Sequence, residues 1–343
     1  MVPAERGDVL SEPPGTGGAA GRAPHAVVVG SPVAHSLSPL LHRAAWQELG
    51  LGAGSYERVE VPAGELAQSV ERLHSREQVT ALSVTMPLKE EALALGLAGA
   101  GASEVAVLAG GANTLVLGGD GWAASNTDVP ALARVIGRAC GQRSTPGADP
   151  AAPHESEVVP GEVVLLGSGA TARSGLLALH WCGAREVTVA VRDAVRRDFS
   201  RLADELGIRV AVVRLDALAP TLREATAAPG SLLVVNTLPA GWWETLAAPA
   251  WAPGGRAHGG LHQRDAPGPD HPAAGVVWVD AQYAGWPHPW AAAAEDAGAQ
   301  VLSGLHMLVE QAVDQVELMT GLRPTAEATA SLLPPELRAL HRV

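Results

Sequence analysis

Short runs of continuous apolar residues alternate along this chain with longer stretches whose apolar residues recur every three or four positions. Runs of the first kind fit strands buried on both faces of a parallel sheet, and stretches of the second kind fit helices packed against it. Ala26-Val27-Val28-Val29-Gly30 is the first such strand. Ser38 followed by Pro39 predicts a helix start, N-cap and then first helical residue, with Leu41, Ala44, Ala45 and Leu49 on its buried face. A second strand and helix are expected over 55–61 and 65–73. The third unit is a strand over 81–85, a break at Pro87, and a helix carrying Glu90, Glu91, Leu93 and Leu95. This alternation over the first ~100 residues predicts an α/β fold with a mostly parallel sheet.

From Gly110 the pattern changes. Residues 111–117 and 121–125 read as two strands joined by a Gly118-Gly119-Asp120 turn. Asn126-Thr127-Asp128 then opens a helix that ends near Gly141. A second α/β region starts at the strand 162–166, continues through a helix ending near Trp181, and supplies strands at 186–191, 209–214, 231–236 and 276–280. The last long helix spans about 304–320, with Leu305, Leu308, Ala312, Val316 and Met319 on one stripe, and a shorter helix follows. Residues 1–24, rich in Gly, Pro and Ala without periodicity, predict a disordered tail. Loops are expected over 142–160 and 254–272.

Composition narrows the function classes. A chain of 343 residues has room for two domains, each with its own core. The net charge of -12 argues against nucleic acid or an anionic membrane as the main partner. Cys140 and Cys182 have the spacing of neither a zinc site nor a disulfide framework, and read as buried thiols in a reducing compartment. No apolar run is long enough to span a bilayer. The first residues lack the order of a signal peptide, and Glu5, Asp8 and Glu12 argue against a transit peptide, so the cytoplasm is the expected location.

Two clusters carry candidate chemistry. Gly167-Ser168-Gly169-Ala170-Thr171-Ala172 lies between an apolar strand and a helix, the setting a dinucleotide fingerprint requires. Gly167 would allow the tight turn, Gly169 the approach of pyrophosphate, and Ala172 the packing of helix on strand. Arg192, Arg196 and Arg197 after the next strand suit a 2′-phosphate and favour NADP over NAD, while Asp193 could repel that phosphate or cap the next helix. The other cluster centres on Lys89, which falls in the first turn of a helix, at the positive end of its dipole. Taken alone it reads as a solvated lysine paired with Glu90 or Glu91, Asp128 as a helix cap, Asn113 as a turn amide, and Ser36 and Ser38 as caps. All of them, however, fall at strand ends of one domain, where ligands of α/β sheets bind. Their hydroxyl, amide and charged groups suit a small polyhydroxylated carboxylic acid. His258, His262 and His271 lack the spacing of a metal site, and no metal is expected.

The ordered series Ser36-Leu37-Ser38-Pro39, Ser83-Val84-Thr85-Met86-Pro87-Leu88-Lys89, Gly111-Ala112-Asn113-Thr114, Asn126-Thr127-Asp128 and Gly167-Ser168-Gly169-Ala170 resembles the shikimate dehydrogenase family. The likeness continues through Asn236-Thr237-Leu238-Pro239-Ala240-Gly241, Asp280-Ala281-Gln282-Tyr283 and 304–311. It implies a substrate-binding catalytic α/β domain over 25–128 with 302–343, and a Rossmann-like NADP domain over 129–301. It implies Lys89 and Asp128 as the catalytic pair, and Ser36, Ser38, Ser83, Thr85, Asn113, Tyr283 and Gln311 as substrate contacts. Cofactor contacts are implied at the Gly167–Ala172 turn, Arg192, Arg196, Asn236, Thr237, Leu238, Gly304 and Met307. The expected activity is reversible reduction of 3-dehydroshikimate to shikimate with NADPH, by a monomer or homodimer. Ser83 stands where the family often has Asn, and Asp193 where it often has Thr. His288 and His306 likewise replace commoner residues. Alternatives are a quinate or aminoshikimate dehydrogenase, and a catalytically silent ligand sensor.

Overall fold

The structure is a computed structural model that describes residues 24–52, 54–141, 159, 161–227, 231–244, 246, 249–251 and 272–341. Apart from residues 24, 159 and 272, the expected tail over 1–24 and the expected loops over 142–160 and 254–272 lie outside the described residues. The chain divides into two compact units, Met1–Ala131 with Leu308–Arg342, and Leu132–Met307.

The first unit holds β1 (His25–Gly30), α1 (Ser38–Glu48), β2 (Ser55–Glu60), α2 (Leu66–Glu77), β3 (Ala81–Val84), α3 (Lys89–Ala98), β4 (Gly101–Ala102), α4 (Glu104–Ala109), β5 (Thr114–Gly118), β6 (Gly121–Ser125) and the start of α5 (Asp128–Ala139). Its sheet has the order β2-β1-β3-β5-β6-β4. Strands β2, β1 and β3 run parallel, as expected from their helical crossovers. β5 is antiparallel to both β3 and β6, because only Gly119 and Asp120 separate it from β6. The sheet is therefore mixed.

The apolar run of β1 is buried on both faces. Val27 and Val29 pack with Leu66, Val70, Leu73 and Leu88 on one side. Ala26 and Val28 pack with Ala45, Trp46 and Tyr56 on the other. The period of two along the strand thus serves two helical layers. Ser38 is not the cap of α1: Leu37 occupies the N-cap with helical backbone, and no side chain caps the end. The cap reading fails because Leu37 already has α-region dihedrals, which leaves the Ser38 hydroxyl for other partners. β4 and α4 have no counterpart in the pattern of apolar runs. Ser103 caps α4 through Ala106 N, and Gly110 closes it with φ 66°.

The second unit holds β7 (Glu162–Leu166), α6 (Ala170–Trp181), β8 (Glu186–Val191), α7 (Arg197–Leu206), β9 (Arg209–Arg214), α8 (Leu218–Ala227), β10 (Leu232–Asn236), β11 (Val276–Asp280), α9 (Pro289–Asp296) and β12 (Gln300–Leu302). These strands form one sheet in the order β12-β11-β10-β7-β8-β9, parallel throughout. This is the doubly wound order of dinucleotide-binding sheets, with its reversal between β7 and β10. Trp243, Trp251, Trp278 and Trp290 fill one face of its core. The boundary between the units falls within α10 (Gly304–Thr320), and α11 (Ala326–Thr329) and α12 (Pro335–His341) end the described chain.

Helix α3, which begins at Lys89, packs on the sheet through Gly96. A Cβ there would lie 2.3 Å from the Ala124 Cβ and 2.8 Å from the Gly101 carbonyl oxygen. Gly96→Ala is expected to lower stability by ~1–3 kcal/mol through overpacking. A urea titration checks this, and an unchanged midpoint would mean that α3 can move aside without cost.

Candidate active site

Topology alone brings the predicted residues of the first unit to one sheet edge. Val29 pairs with Val84, Ser83 with Thr114, and Thr114 with Ser125. The carboxyl ends of β1, β3 and β6 and the amino end of β5 therefore coincide. Ser36 and Ser38 follow β1, Thr85 and Lys89 follow β3, Asn113 precedes β5, and Asp128 follows β6. Gln311 reaches the same place from α10.

Lys89 Nζ donates to Asp128 Oδ2 at 2.5 Å, with side-chain exposures of 12% and 6%. Of the two glutamates that a solvated Lys89 could pair with, Glu91 accepts from the Gly64 and Leu66 amides before α2. The other carboxylate oxygen of Asp128, Oδ1, accepts from Asn113 Nδ2 at 2.9 Å. The orientation of that amide is forced. Asn113 Oδ1 accepts from the Thr127 backbone N–H at 2.9 Å, and a backbone N–H can only donate. The amino end must then face Asp128, Thr127 Oγ1 and Gln311 Oε1.

Asp128 is the first residue of α5 and does not cap it. Asn126 Oδ1 does so, accepting from Asp128 N at 3.0 Å and Val129 N at 3.3 Å. Its Nδ2 donates to Gly111 O at 2.8 Å, which ties the α5 cap to the segment before Asn113. The Asp128 carboxylate is thereby left to Lys89 and Asn113. Asn126 and Thr127 are site residues that the pattern reading missed, although an Asn ahead of a helix is a capping signal.

A second network runs along the same edge. Ser36 Oγ donates to Ser38 Oγ at 3.2 Å, and the Ser36 carbonyl accepts from Arg58 Nε at 2.7 Å. Tyr56, fully buried, hydrogen-bonds the Ser38 side chain and donates to Ser83 Oγ at 2.5 Å. Burial raises the Tyr56 phenol above its usual range, and the bonds to Ser83 and Ser38 oppose that rise. Ser83 Oγ donates in turn to Gln315 Oε1 at 2.7 Å. His42 stacks on Tyr56 with ring centroids 4.1 Å apart and holds the Ser38 carbonyl through Nδ1 at 2.9 Å. A carbonyl only accepts, so Nδ1 carries the proton. Tyr56, His42 and Gln315 were not read from the pattern.

In the second unit, Gly167 has φ 102°, and a Cβ there would lie 2.9 Å from Thr237 Oγ1. Nothing stands within 4 Å of a Cβ at Gly169. Gly169 is the N-cap of α6, so backbone N–H groups and the helix dipole face the opening of this turn. Thr237 Oγ1 donates to Leu166 O at 2.7 Å, and Asn236 Oδ1 accepts from Leu238 N at 3.0 Å. The ends of β7 and β10 are thus locked at the switch point. Ser168 Oγ accepts from the Arg196 backbone N–H at 3.3 Å. Arg192 lies 5.1 Å from the centre of the Trp242 ring and bonds Asp193 at 2.8 Å, both side chains of that pair being exposed. Gly304 approaches Gln282 so closely that a Cβ would lie 2.5 Å from its carbonyl carbon. Ser303 Oγ is buried without a partner among the described residues. The open glycine turn, the helix N-terminus and the nearby arginines fit a phosphorylated dinucleotide. Tyr283 follows β11 and Met307 lies in the first turn of α10, both in this unit. Among the described residues, no group of three or more His, Cys, Asp or Glu side chains could hold a metal ion, and no helix is long and apolar enough to cross a membrane.

A parallel sheet with a glycine turn at its switch point, in a chain whose other α/β unit holds a Lys–Asp ion pair at its sheet edge, marks a nicotinamide-dependent oxidoreductase. A family profile described as the shikimate dehydrogenase substrate binding domain matches residues 28–115, and one described as the shikimate 5'-dehydrogenase C-terminal domain matches 304–331. A protein of Hyphomonas neptunium named shikimate dehydrogenase (NADP(+)) is 34% identical over 304 residues, 88% of this chain and 94% of that one. The crystal structure of Mycobacterium tuberculosis shikimate dehydrogenase is similar at TM-score 0.64 and 33% identity, over 90% of this chain and 98% of that one. That of the Thermus thermophilus enzyme in complex with NADP(H) and shikimate gives TM-score 0.65 and 27% identity, over 90% and 97%. The chain belongs to the shikimate dehydrogenase family.

Burial pulls the His42 imidazole from 6.5 down to about 4, and its bond to the Ser38 carbonyl only partly offsets this. The unfolded chain therefore binds the extra proton more readily over that interval. Stability is expected to fall as pH drops from 6.5 towards 4, by a total of roughly 3 kcal/mol from this group. Urea unfolding at several pH values checks this: His42→Gln should lose that part of the slope, and an unchanged slope would refute it.

Proposed function

We propose that the protein interconverts 3-dehydroshikimate and shikimate with NADP(H), the first unit holding substrate and the second holding cofactor. The observation that carries this reading is the part-buried Lys89–Asp128 pair, braced by an Asn113 amide of forced orientation. Family membership and the names of the relatives support it and favour shikimate over quinate or an aminoshikimate.

The Gly167–Gly169 turn and the start of α6 would hold NADPH, which when bound would supply the hydride. As the ring carbonyl carbon accepts it, the carbonyl oxygen becomes an alkoxide, and the Lys89 ammonium gives that oxygen its proton. Lys89 then regains a proton from solvent. In the reverse direction neutral Lys89 takes the hydroxyl proton. Asp128 holds the ammonium in place and offsets its charge, so the pair works without a metal. Ser36 and Ser38 meet the substrate carboxylate, their hydroxyls turning to it from the partners they hold in the free protein, and Thr85, Asn113 and Gln311 meet ring oxygens.

For the cofactor, Arg192 and Arg196 are the partners of the 2′-phosphate, and the Asp193 carboxylate is occupied by Arg192. Ser168, Ala170, Thr171 and Ala172 line the pyrophosphate turn, and Asn236, Thr237, Leu238, Gly304 and Met307 flank the nicotinamide half. A cytoplasmic monomer or homodimer fits this reading. The retained Lys89 and Asp128 favour an enzyme over a silent ligand sensor.

Lys89→Ala is expected to lower kcat by ~10²–10⁴-fold while leaving NADPH affinity nearly unchanged. Near-normal kcat in this variant would remove Lys89 as the proton donor. Purified protein given shikimate, quinate or an aminoshikimate, each with NADP⁺ or NAD⁺, should reduce cofactor fastest with shikimate and NADP⁺. A faster reaction with another pair would reassign the substrate, and no turnover with any pair would favour the sensor.

A further inference from the structure

Gln315 lies on α10 one helical turn beyond Gln311, with only 1% of its surface exposed. Its Nε2 donates to the Asn113 carbonyl oxygen at 2.9 Å and to Thr114 Oγ1 at 3.0 Å. A backbone carbonyl can only accept, so the amide has one permitted orientation, with Oε1 turned towards Ser83. Ser83 Oγ must therefore be the donor across their 2.7 Å contact. With the Ser83 proton committed, Tyr56 must donate across its own 2.5 Å contact to Ser83. A hydroxyl has one proton and two lone pairs. The proton of Ser83 and one lone pair are spent inside the protein, and a single lone pair remains.

We infer that Gln315 is a positioning residue that makes Ser83 an acceptor-only contact, so that the substrate group at Ser83 must be a hydrogen-bond donor. This deepens the shikimate reading and rests on it. A ring carbonyl cannot donate, whereas the oxidised and reduced substrates share every ring hydroxyl except the reacting one. Ser83 thus receives a hydroxyl that is present on both sides of the reaction, and the reacting oxygen is left to Lys89. Specificity arises because an analogue that can only accept would leave two lone pairs facing each other in a buried site.

The test uses two shikimate analogues, each with one non-reacting ring hydroxyl replaced by fluorine, which does not donate. With NADP⁺, the wild type should prefer shikimate over one of them by about tenfold or more in kcat/KM because of the Ser83 contact. Gln315→Met frees the Ser83 proton and should cut that preference at least about fivefold, leaving the preference against the other analogue unchanged. Gln315→Glu should retain it, because burial favours the neutral carboxyl, which can accept from Ser83 and donate to the Asn113 carbonyl. Ser83→Ala should abolish it. If Gln315→Met shifts both preferences equally, or neither, or if Gln315→Glu behaves like Gln315→Met, Gln315 has only a structural role and the inference is overturned. If the wild type turns over shikimate itself with neither NADP⁺ nor NAD⁺, the functional reading falls and the inference with it.

Discussion

A carboxylate removed from water must be met by opposite charge and by hydrogen-bond donors, or it destabilises the fold that buries it. Asp128 meets this condition with one oxygen on the Lys89 ammonium and the other on the Asn113 amide. Its two partners come from either side of the β3–β5 pairing, so the carboxylate holds the start of α3 and the start of β5 in register with the end of β6. The amide is fixed by a backbone N–H, and that N–H belongs to Thr127, next to Asp128 itself. The closed circuit keeps the lysine at the sheet edge, the preorganisation that the proposed proton transfer would use.

The parts of the fold that follow from one residue's neighbours were legible in the sequence. Continuous apolar runs announced β1 and β7, and the glycine turn at Gly167 announced the dinucleotide sheet. β4 was not legible, because two residues carry no period. The Ser38-Pro39 pair misled, since the backbone of Leu37 decides where α1 begins. Lys89, Asn113 and Asp128 were legible as polar residues at strand ends. Tyr56 was not, because an aromatic residue in a strand reads as core, and core is also what it is. Gln315 left a faint mark: with Gln311, one turn away, it places an amide on a buried and otherwise largely apolar face of α10. Its partners lie about 200 positions earlier in the chain, and only the fold brings them together.

The two units solve recognition with different materials. The second presents mainly backbone, a helix N-terminus and a glycine turn with room for phosphate. Arg192 there is shared between the Trp242 ring and the Asp193 carboxylate on an exposed surface. The first presents side chains whose protons are assigned by carbonyls and amides behind them. Backbone amides offer the same polarity whatever the side chain, whereas the polarity of a side-chain network can be reversed by one substitution.

Asn126, and not Asp128, satisfies the first amides of α5. The helix therefore keeps its N-terminal cap whatever residue occupies position 128. Capping the helix and binding Lys89 are thus assigned to neighbouring but separate side chains. A change at 128 would cost the contacts to Lys89 and Asn113 at the sheet edge but leave the start of α5 capped, so that edge can change its polarity while the helix behind it keeps its beginning.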